Sequence, residues 1–181
     1  MKTKTGVDPT DLVNPTEVLQ FYLKPSGNFP NSDLPSLVYP QAVRLQSDDP
    51  ASIFEELFEL NGWTDSWRNG IYDYHHYHST AHEVLGIYSG SASVQFGAEG
   101  GIVQKVHVGD VIVIPAGVAH KNLGASEDFG VVGAYPEGQQ WDLLRGKPGE
   151  REKAEANIKR VLLPKRDPVQ GEGGVLLRLW N

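Results

Sequence analysis

Two glycine-bounded segments constrain the fold of this 181-residue chain more than any other feature of its sequence. The first, residues 70–90, has the pattern Gly-x5-His-x-His-x4-Glu-x6-Gly, and the second, residues 109–120, has the pattern Gly-x5-Pro-x-Gly-x2-His. Glycine and proline at such intervals favour short strands joined by turns over long helices. The two segments therefore predict a β structure in which three histidines and one carboxylate converge.

The sequence after residue 90 also has the pattern of short strands. Residues 91–96 alternate polar and apolar side chains, as a half-buried strand does. Glu99-Gly100-Gly101 predicts a hairpin turn, and the continuous apolar runs at residues 111–114 and 131–134 predict strands buried on both faces. Several short strands at this spacing indicate a sandwich or barrel. The apolar runs need cover outside the barrel, from the N-terminal residues or from a second subunit.

The N-terminal residues predict little regular structure. Prolines recur up to residue 40 too often for a long helix, so residues 1 to about 40 are expected to form an irregular arm. Within this arm, Pro15–Tyr22 could form one or two helical turns. The segment Leu34–Leu45 could supply an extended strand.

Two helices and an apolar tail are expected beside the strands. Asp49 is a favourable N-cap, Pro50 suits the first helical position, and Asn61-Gly62 ends the helix that they begin. A second helix is expected near Gly149–Arg160. The tail Val175–Trp180 is expected to add an edge strand.

The length of the chain fits one domain with a sizeable core. We expect residues 1–65 to form the N-terminal arm and helix, and residues 66–136 to form the barrel core with both motifs. Residues 137–181 are expected to form the C-terminal helix and tail.

Composition excludes several classes of function. The formal net charge is −7 and the isoelectric point is about 5.3, which argues against binding to nucleic acid or to an anionic membrane. The chain has no cysteine, so any metal must be held by nitrogen and oxygen. Residues 1–11 lack the apolar run of a secretory signal, and no run of about 18 apolar residues follows. We therefore expect a cytoplasmic protein.

Four residues of the two motifs form a candidate metal site. His76 and His78 lie two positions apart, so their side chains project from one strand face about 6.6 Å apart. Glu83 is expected to open the next strand, and His120 follows the tight turn at residues 115–117. This donor set suits iron, manganese, nickel, zinc or copper, and it leaves coordination positions for water or substrate. The alternative is that the four residues line a barrel without metal.

The nine specified positions of the two patterns match the signature motifs of the cupin superfamily. The segments HYHSTAHEVLGIY, PAGVAHKNLG and FGVVGAYPEGQQWDL further resemble the bacterial YjlB-type cupins, whose function is unassigned. The resemblance implies an all-β fold, namely a conical antiparallel β-barrel or jelly roll with a few flanking helices, and a homodimer. It also implies that the residues matching His76, His78, Glu83 and His120 bind the metal. One departure is that the usual asparagine four residues after the last histidine is replaced by Gly124.

Other polar residues could bind a substrate. Tyr72 and Tyr74 share the strand phase of His76, and Asn122 shares that of His120, so these side chains are expected to point into the barrel. They could be core residues, or one of them could contact a substrate or a metal-bound water. We take Tyr74 and Asn122 as candidate catalytic residues.

For several residues further along the chain, a structural role is favoured over a role in the site. Tyr135, Trp141 and Asp142 could close the barrel mouth, although packing against the C-terminal tail is the favoured interpretation. His82 is expected to point away from Glu83 by alternation. The inward strand phases contain no lysine or arginine, so a phosphorylated substrate would need a cation from elsewhere, such as Arg44 or Arg68.

Two functions stay open at this point. The chain could be a metal-dependent enzyme that acts on a small organic substrate in the barrel by Lewis-acid or oxygen chemistry, as an oxygenase, isomerase or hydrolase. It could instead be a non-catalytic module that binds a metal or a small ligand. A DNA-binding role is disfavoured, because the chain is acidic and has no basic helix-turn-helix segment.

Overall fold

The computed structural model describes residues 6–181 and contains two antiparallel β-sheets. The strands are β1 (Leu19–Leu23), β2 (Ser32–Tyr39), β3 (Trp63–Asn69), β4 (Glu83–Ser89), β5 (Ser91–Phe96), β6 (Ile102–His107), β7 (Val111–Ile114), β8 (His120–Ala125) and β9 (Gly130–Pro136). The helices are α1 (Pro50–Leu60), α2 (Glu150–Ile158) and α3 (Val175–Leu179), and a 3-10 turn covers Pro9–Leu12. This confirms the predicted all-β fold with a few flanking helices.

The larger sheet has six strands in the order β1-β2-β7-β4-β9-β3, and the smaller sheet has three in the order β6-β5-β8. Alternation along β4 sends its side chains to two different cores. Leu85 and Ile87 belong to a cluster between the sheets, whereas Val84 belongs to a cluster on the outer face of the larger sheet. Because Glu83 has the phase of Leu85, its carboxylate is directed into the barrel.

Helices α1 and α3 cover the outer face of the larger sheet. Phe54, Leu57 and Phe58 of α1 are fully buried there, as the predicted apolar stripe requires. Leu176 and Trp180 from the C-terminal end join the same cluster. The chain thus covers its own outer sheet face with these helices.

Several local predictions were wrong. Pro15–Tyr22 is not helical, because Leu19–Leu23 pairs with β2, with Leu19 opposite Val38. The arm is therefore less irregular than expected, since it supplies two strands of the larger sheet. The side chain of Asp49 makes no cap hydrogen bond, although α1 begins at Pro50 as predicted.

The apolar tail forms the short helix α3 and not an edge strand. The buried carboxylate of Asp167 accepts hydrogen bonds from the backbone N–H groups of Val169, Gln170 and Leu176. It also accepts a 2.8 Å hydrogen bond from the Tyr39 hydroxyl on β2. These contacts fold the tail back as a turn and a helix, so its backbone cannot extend along a sheet edge.

Among residues 6–181, no helix is both long enough and apolar enough to cross a bilayer. The interpretation of residues 1–11 as free of a secretory signal rests partly on residues 1–5, which lie outside the described part of the chain.

Candidate metal centre

The two motifs meet at an antiparallel bridge between His76 and His120. The His76 N–H donates to the His120 carbonyl at 3.2 Å, and the His120 N–H donates to the His76 carbonyl at 2.9 Å. The carbonyl of His78 accepts a 2.8 Å hydrogen bond from the N–H of Gly117. Backbone pairing therefore brings the first motif's histidines beside the second motif's histidine.

The turn before His120 depends on Gly117 and Asn31. Gly117 has φ +99°, and a Cβ there would overlap the carbonyl oxygen of Asn31. The buried Asn31 side chain accepts a 3.1 Å hydrogen bond from the N–H of Ala119 and donates to the carbonyls of Lys24 and Gly97. The sequence reasoning missed Asn31, because nothing local marks an asparagine 89 residues upstream of His120 as its support.

Three buried imidazoles form a triad that can hold a metal ion. One ring nitrogen from each of His76, His78 and His120 lies within 4.8 Å of those of the other two. Oε2 of the buried Glu83 lies 3.5 Å from His78 Nε2 and 3.3 Å from His120 Nε2. The structure thus brings together all four residues that the motifs single out.

The other nitrogen of each ring contacts a backbone carbonyl. His76 Nδ1 lies 3.0 Å from the Tyr74 oxygen, His120 Nδ1 lies 3.0 Å from the Val118 oxygen, and His78 Nδ1 contacts the Asp142 oxygen. A carbonyl can only accept, so each Nδ1 carries the hydrogen and each neutral ring keeps its lone pair on Nε2.

The space between these Nε2 atoms and the carboxylate therefore needs a positive charge. Two lone pairs facing Oε2 without a proton would repel it, so either a proton on an imidazole or a metal ion must lie there. Neutral imidazoles and a carboxylate are the donors that a divalent transition metal prefers. The residues present thus fit a metal ion.

The pKa shifts of the carboxylate and the histidines follow from this arrangement of charges. Burial raises the pKa of Glu83, but the charge of His78 and hydrogen bonds from His120 and His78 together bring it well below its usual range. Burial lowers the pKa of His78, but the charge of Glu83, the hydrogen bond with Glu83 and the neighbouring Asp142 together raise it above its usual value. The pKa of His76 is lowered to about 3, chiefly by burial and next by His120. Glu83 therefore stays ionised and His76 stays neutral near pH 7.

A cavity of about 170 Å³ opens beside the triad and Glu83. Aromatic and aliphatic side chains form most of its wall, namely Trp67, Tyr72, Tyr135, Trp141, Ile71, Leu85 and Leu143. A small molecule in this cavity would lie directly against the candidate metal position.

Tyr135, Trp141 and Asp142 surround the site, so the interpretation that they pack against the C-terminal tail was wrong. Tyr135 on β9 accepts a 2.8 Å hydrogen bond from the indole N–H of Trp67. Burial raises the pKa of Tyr135, and the charge of Glu83 raises it further. The Trp141 ring stacks on Tyr135 at 6.1 Å between centroids and contacts His78 edge-on at 5.7 Å.

Asp142 holds the segment that carries His78. Its carboxylate accepts a 2.6 Å hydrogen bond from the Ser79 N–H and another from the Ser79 hydroxyl, while its backbone oxygen contacts His78 Nδ1. Asn157 on α2 donates to the same hydroxyl at 3.0 Å. The segment that follows β9 therefore folds back onto the site and holds His78, one of the candidate metal ligands, in place.

The candidate catalytic residues lie at the edge of the site. Tyr74 contacts His76 edge-on and stacks on Tyr72 at 4.9 Å, with Arg145 over its other face. Tyr72 lines the cavity and is 49% exposed, so it lies at the barrel mouth and is not a buried core aromatic. Strand phase is a limited guide here, because residues 70–82 form no continuous strand. Asn122 is half-buried, and its side chain accepts a hydrogen bond from the Gly124 N–H.

His82 points away from Glu83, as alternation predicts. Its Nδ1 accepts a 2.9 Å hydrogen bond from the Ala116 N–H, and its ring lies 4.7 Å from that of Trp180. Burial lowers its pKa to about 4. His82 therefore supports the turn after β7 from the outer side of the sheet.

Comparisons with known protein families and solved structures gave several matches. A family model described as Cupin matches residues 68–135, the segment that contains both motifs. Among solved structures, dTDP-6-deoxy-D-glucose-3,5-epimerase RmlC from Legionella pneumophila is 14% identical over 67% of this chain and 72% of its own, with a TM-score of 0.37.

Two longer solved chains match in part. The 11S allergen from Cocos nucifera is 16% identical over 51% of this chain and 31% of its own, with a TM-score of 0.37. A mutant of Bacillus subtilis oxalate decarboxylase is 17% identical over 65% of this chain and 29% of its own, with a TM-score of 0.36. The chain spans less than a third of either protein.

A curated relative matches almost end to end. It is the uncharacterized protein YjlB of Bacillus subtilis (strain 168), which is 42% identical over 165 residues, or 91% of this chain and 97% of its own. Together with the motif geometry, this similarity shows that the chain belongs to the cupin family, in its YjlB-type group.

Proposed function

We propose that the chain is a metal-dependent enzyme that acts on a small organic molecule in the barrel. His76, His78, Glu83 and His120 would hold one divalent transition metal ion. The observation that carries the proposal is that three imidazoles, each anchored through Nδ1 to a backbone carbonyl, converge on one buried carboxylate beside an open cavity.

The protein's own contribution is preorganisation. The Nδ1 contacts fix the tautomer and the ring plane of each imidazole, so little order is lost when a metal binds. Glu83 stays ionised because of its neighbours and partly neutralises the ion. When bound, iron, manganese, nickel, zinc or copper would supply Lewis-acid or oxygen chemistry.

Tyr135 has the position of a proton-holding group. The Trp67 indole donates to its hydroxyl oxygen, which leaves the hydroxyl hydrogen free to point toward Glu83 or a bound molecule. Its raised pKa keeps that proton in place near pH 7. Trp141 and Tyr72 restrict solvent access on the outer side. The catalytic roles of Tyr74 and Asn122 stay predictions.

The alternative is a non-catalytic metal or small-ligand-binding module. Direct access from the cavity to the triad favours the enzyme, because a purely structural ion needs no open side. The homodimer, the cytoplasmic location and the division at residues 65 and 136 are further proposals from the sequence. Light scattering tests the dimer, and a monomer at micromolar concentration would contradict it.

Elemental analysis of protein purified without added metal tests the proposal. We expect bound transition metal in the natural protein and none in the His78→Ala variant. The matched control is His107→Ala, because that side chain is 53% exposed and lies outside the site. Equal metal content in both variants would overturn the metal site, and metal-loaded protein that catalyses nothing in a broad substrate screen would favour the binding module.

A further inference from the structure

We infer that the cavity binds a single-ring aromatic compound whose one anionic group meets the metal. The inference rests on the metal site proposed above and adds the chemical class of the ligand. It follows from the size of the cavity, the nature of its wall and the charges around it.

The size of the cavity limits the ligand to one ring. Its volume is about 170 Å³, and an apolar cavity of about 150 Å³ accommodates benzene. A nucleotide or a disaccharide would exceed this space. A six-membered ring with a short substituent directed at the histidines fits it.

The wall of the cavity offers aromatic faces. Tyr135 and Trp141 are nearly parallel, with an interplanar angle of 22°, and both contact His78 edge-on. Trp141 is 51% exposed and Tyr72 is 49% exposed, so each has free ring surface at the mouth. Large aromatic side chains left half-exposed around a concave site indicate a partner that covers them, and ring faces pair best with another ring.

The charges around the cavity exclude a polyanion. Arg68 is the only lysine or arginine among the described residues that line it. Its guanidinium is already shared by Asp49 at 2.9 Å and Glu55 at 2.6 Å. Arg44 is bound elsewhere, to Asn14 and the backbone of Asp11. Among the described residues that line the cavity, none is therefore an unpaired cation that could bind a phosphate group.

One negative charge is what the metal position can accept. A divalent ion held by three imidazoles and by the single carboxylate of Glu83 would keep a net charge of one, because imidazole ligands bind through a neutral lone pair. A phenolate, a carboxylate or a hydroxamate on a ring would complete charge balance, with the ring lying against the tryptophan and tyrosine faces. A second anionic group would stand unpaired against apolar side chains.

Three hydroxamates with the same metal-binding group test the inference. Zinc-loaded protein, with its zinc content measured, is titrated calorimetrically with benzohydroxamate, cyclohexanecarbohydroxamate and acetohydroxamate. We expect benzohydroxamate to bind at least about tenfold more tightly than acetohydroxamate, with the saturated ring between them, because ring burial and stacking add to the shared metal contact.

Two variants test whether the tighter binding of benzohydroxamate comes from the aromatic wall of the cavity. Trp141→Ala should remove most of the advantage of benzohydroxamate over acetohydroxamate, with both affinities measured on protein of known zinc content. Tyr22→Ala is the matched control, since Tyr22 is 61% exposed on β1 and does not line the cavity. Equal affinities of the ring and methyl compounds on zinc-loaded protein would overturn the ligand class alone. A protein that takes up no zinc and no other transition metal would overturn the metal site and this inference together.

Discussion

The indole N–H of Trp67 donates a 2.8 Å hydrogen bond to the hydroxyl oxygen of Tyr135. These residues lie on neighbouring strands β3 and β9, and both line the cavity beside the candidate metal centre. The pair joins the aromatic wall to the polar site, because Tyr135 also faces Glu83.

Replacing Tyr135 by phenylalanine should lower the free energy of unfolding by about 1 kcal/mol, because the partly buried Trp67 N–H loses its acceptor. Trp67→Phe should cost a similar amount. The double variant should be less destabilised than the sum of the two, since the second change removes a group already without its partner. Urea denaturation measures all three, and strict additivity would argue that the hydrogen bond contributes nothing.

Replacing Glu83 by glutamine should weaken metal binding at least about tenfold, since the buried site loses its one negative charge. Competition with a chromophoric chelator measures the dissociation constant. Glu99→Gln, on the hairpin between β5 and β6, removes a charge of the same sign from a residue that does not line the cavity, and it is the control. An unchanged metal affinity in Glu83→Gln would remove this residue from the proposed ligand set.

Metal loading should raise the melting temperature, because the four donors converge only in the folded chain. At a free metal concentration one hundred times the dissociation constant, the gain is about 2.7 kcal/mol. The gain should shrink as pH falls, since protons compete with the metal for the imidazoles. Calorimetric melting at several pH values, with and without metal, measures it, and His78→Ala should show no gain.

Asp142→Ala should weaken metal binding by about ten- to a hundredfold without removing any proposed ligand. The carboxylate holds both the N–H and the hydroxyl of Ser79, so its loss frees the segment that carries His78. Asp142→Asn should retain part of the affinity, because its amide oxygen can still accept. A variant with natural metal affinity and lowered stability would mean that Asp142 supports the fold alone.

Gly86→Ala should destabilise the protein by about 1–3 kcal/mol, since over-filling a packed core forces its neighbours to shift. A Cβ at this position would lie 2.5 Å from the Phe54 ring of α1. Gly124→Ala on exposed β8 is the matched control, because a Cβ there meets no atom within 4 Å. Urea midpoints should therefore separate the two variants, and equal midpoints would contradict the contact between α1 and β4.

Local sequence pattern predicted secondary structure correctly where residues within one element determine its conformation. Alternation at residues 91–96 correctly gave β5, and the signals at Pro50 and Asn61-Gly62 correctly gave α1. The local pattern gave the wrong secondary structure where contacts with a residue distant in sequence determine the conformation. Leu19–Leu23 is a strand because β2 pairs with it, and Val175–Leu179 is a helix because the Asp167 carboxylate folds the tail back.

The candidate site divides in the same way. The spacing of His76, His78, Glu83 and His120 carried enough information to predict their convergence, since they lie on paired segments of chain. For Tyr135 and Trp141 a position at the barrel mouth was only the less favoured interpretation, because Trp141 reaches His78 through the fold of the chain after β9. No spacing rule links residues so far apart.

The anchoring of each imidazole to a backbone carbonyl has an evolutionary consequence. Because main-chain atoms are present whatever the residue, substitutions at positions 74 and 118 can leave the orientation of the His76 and His120 rings intact. Neighbouring mouth positions such as Trp141 and Leu143 are then free to diverge between lineages. A new ligand specificity can therefore arise by substitution at those mouth positions one at a time, while the metal-binding residues stay the same.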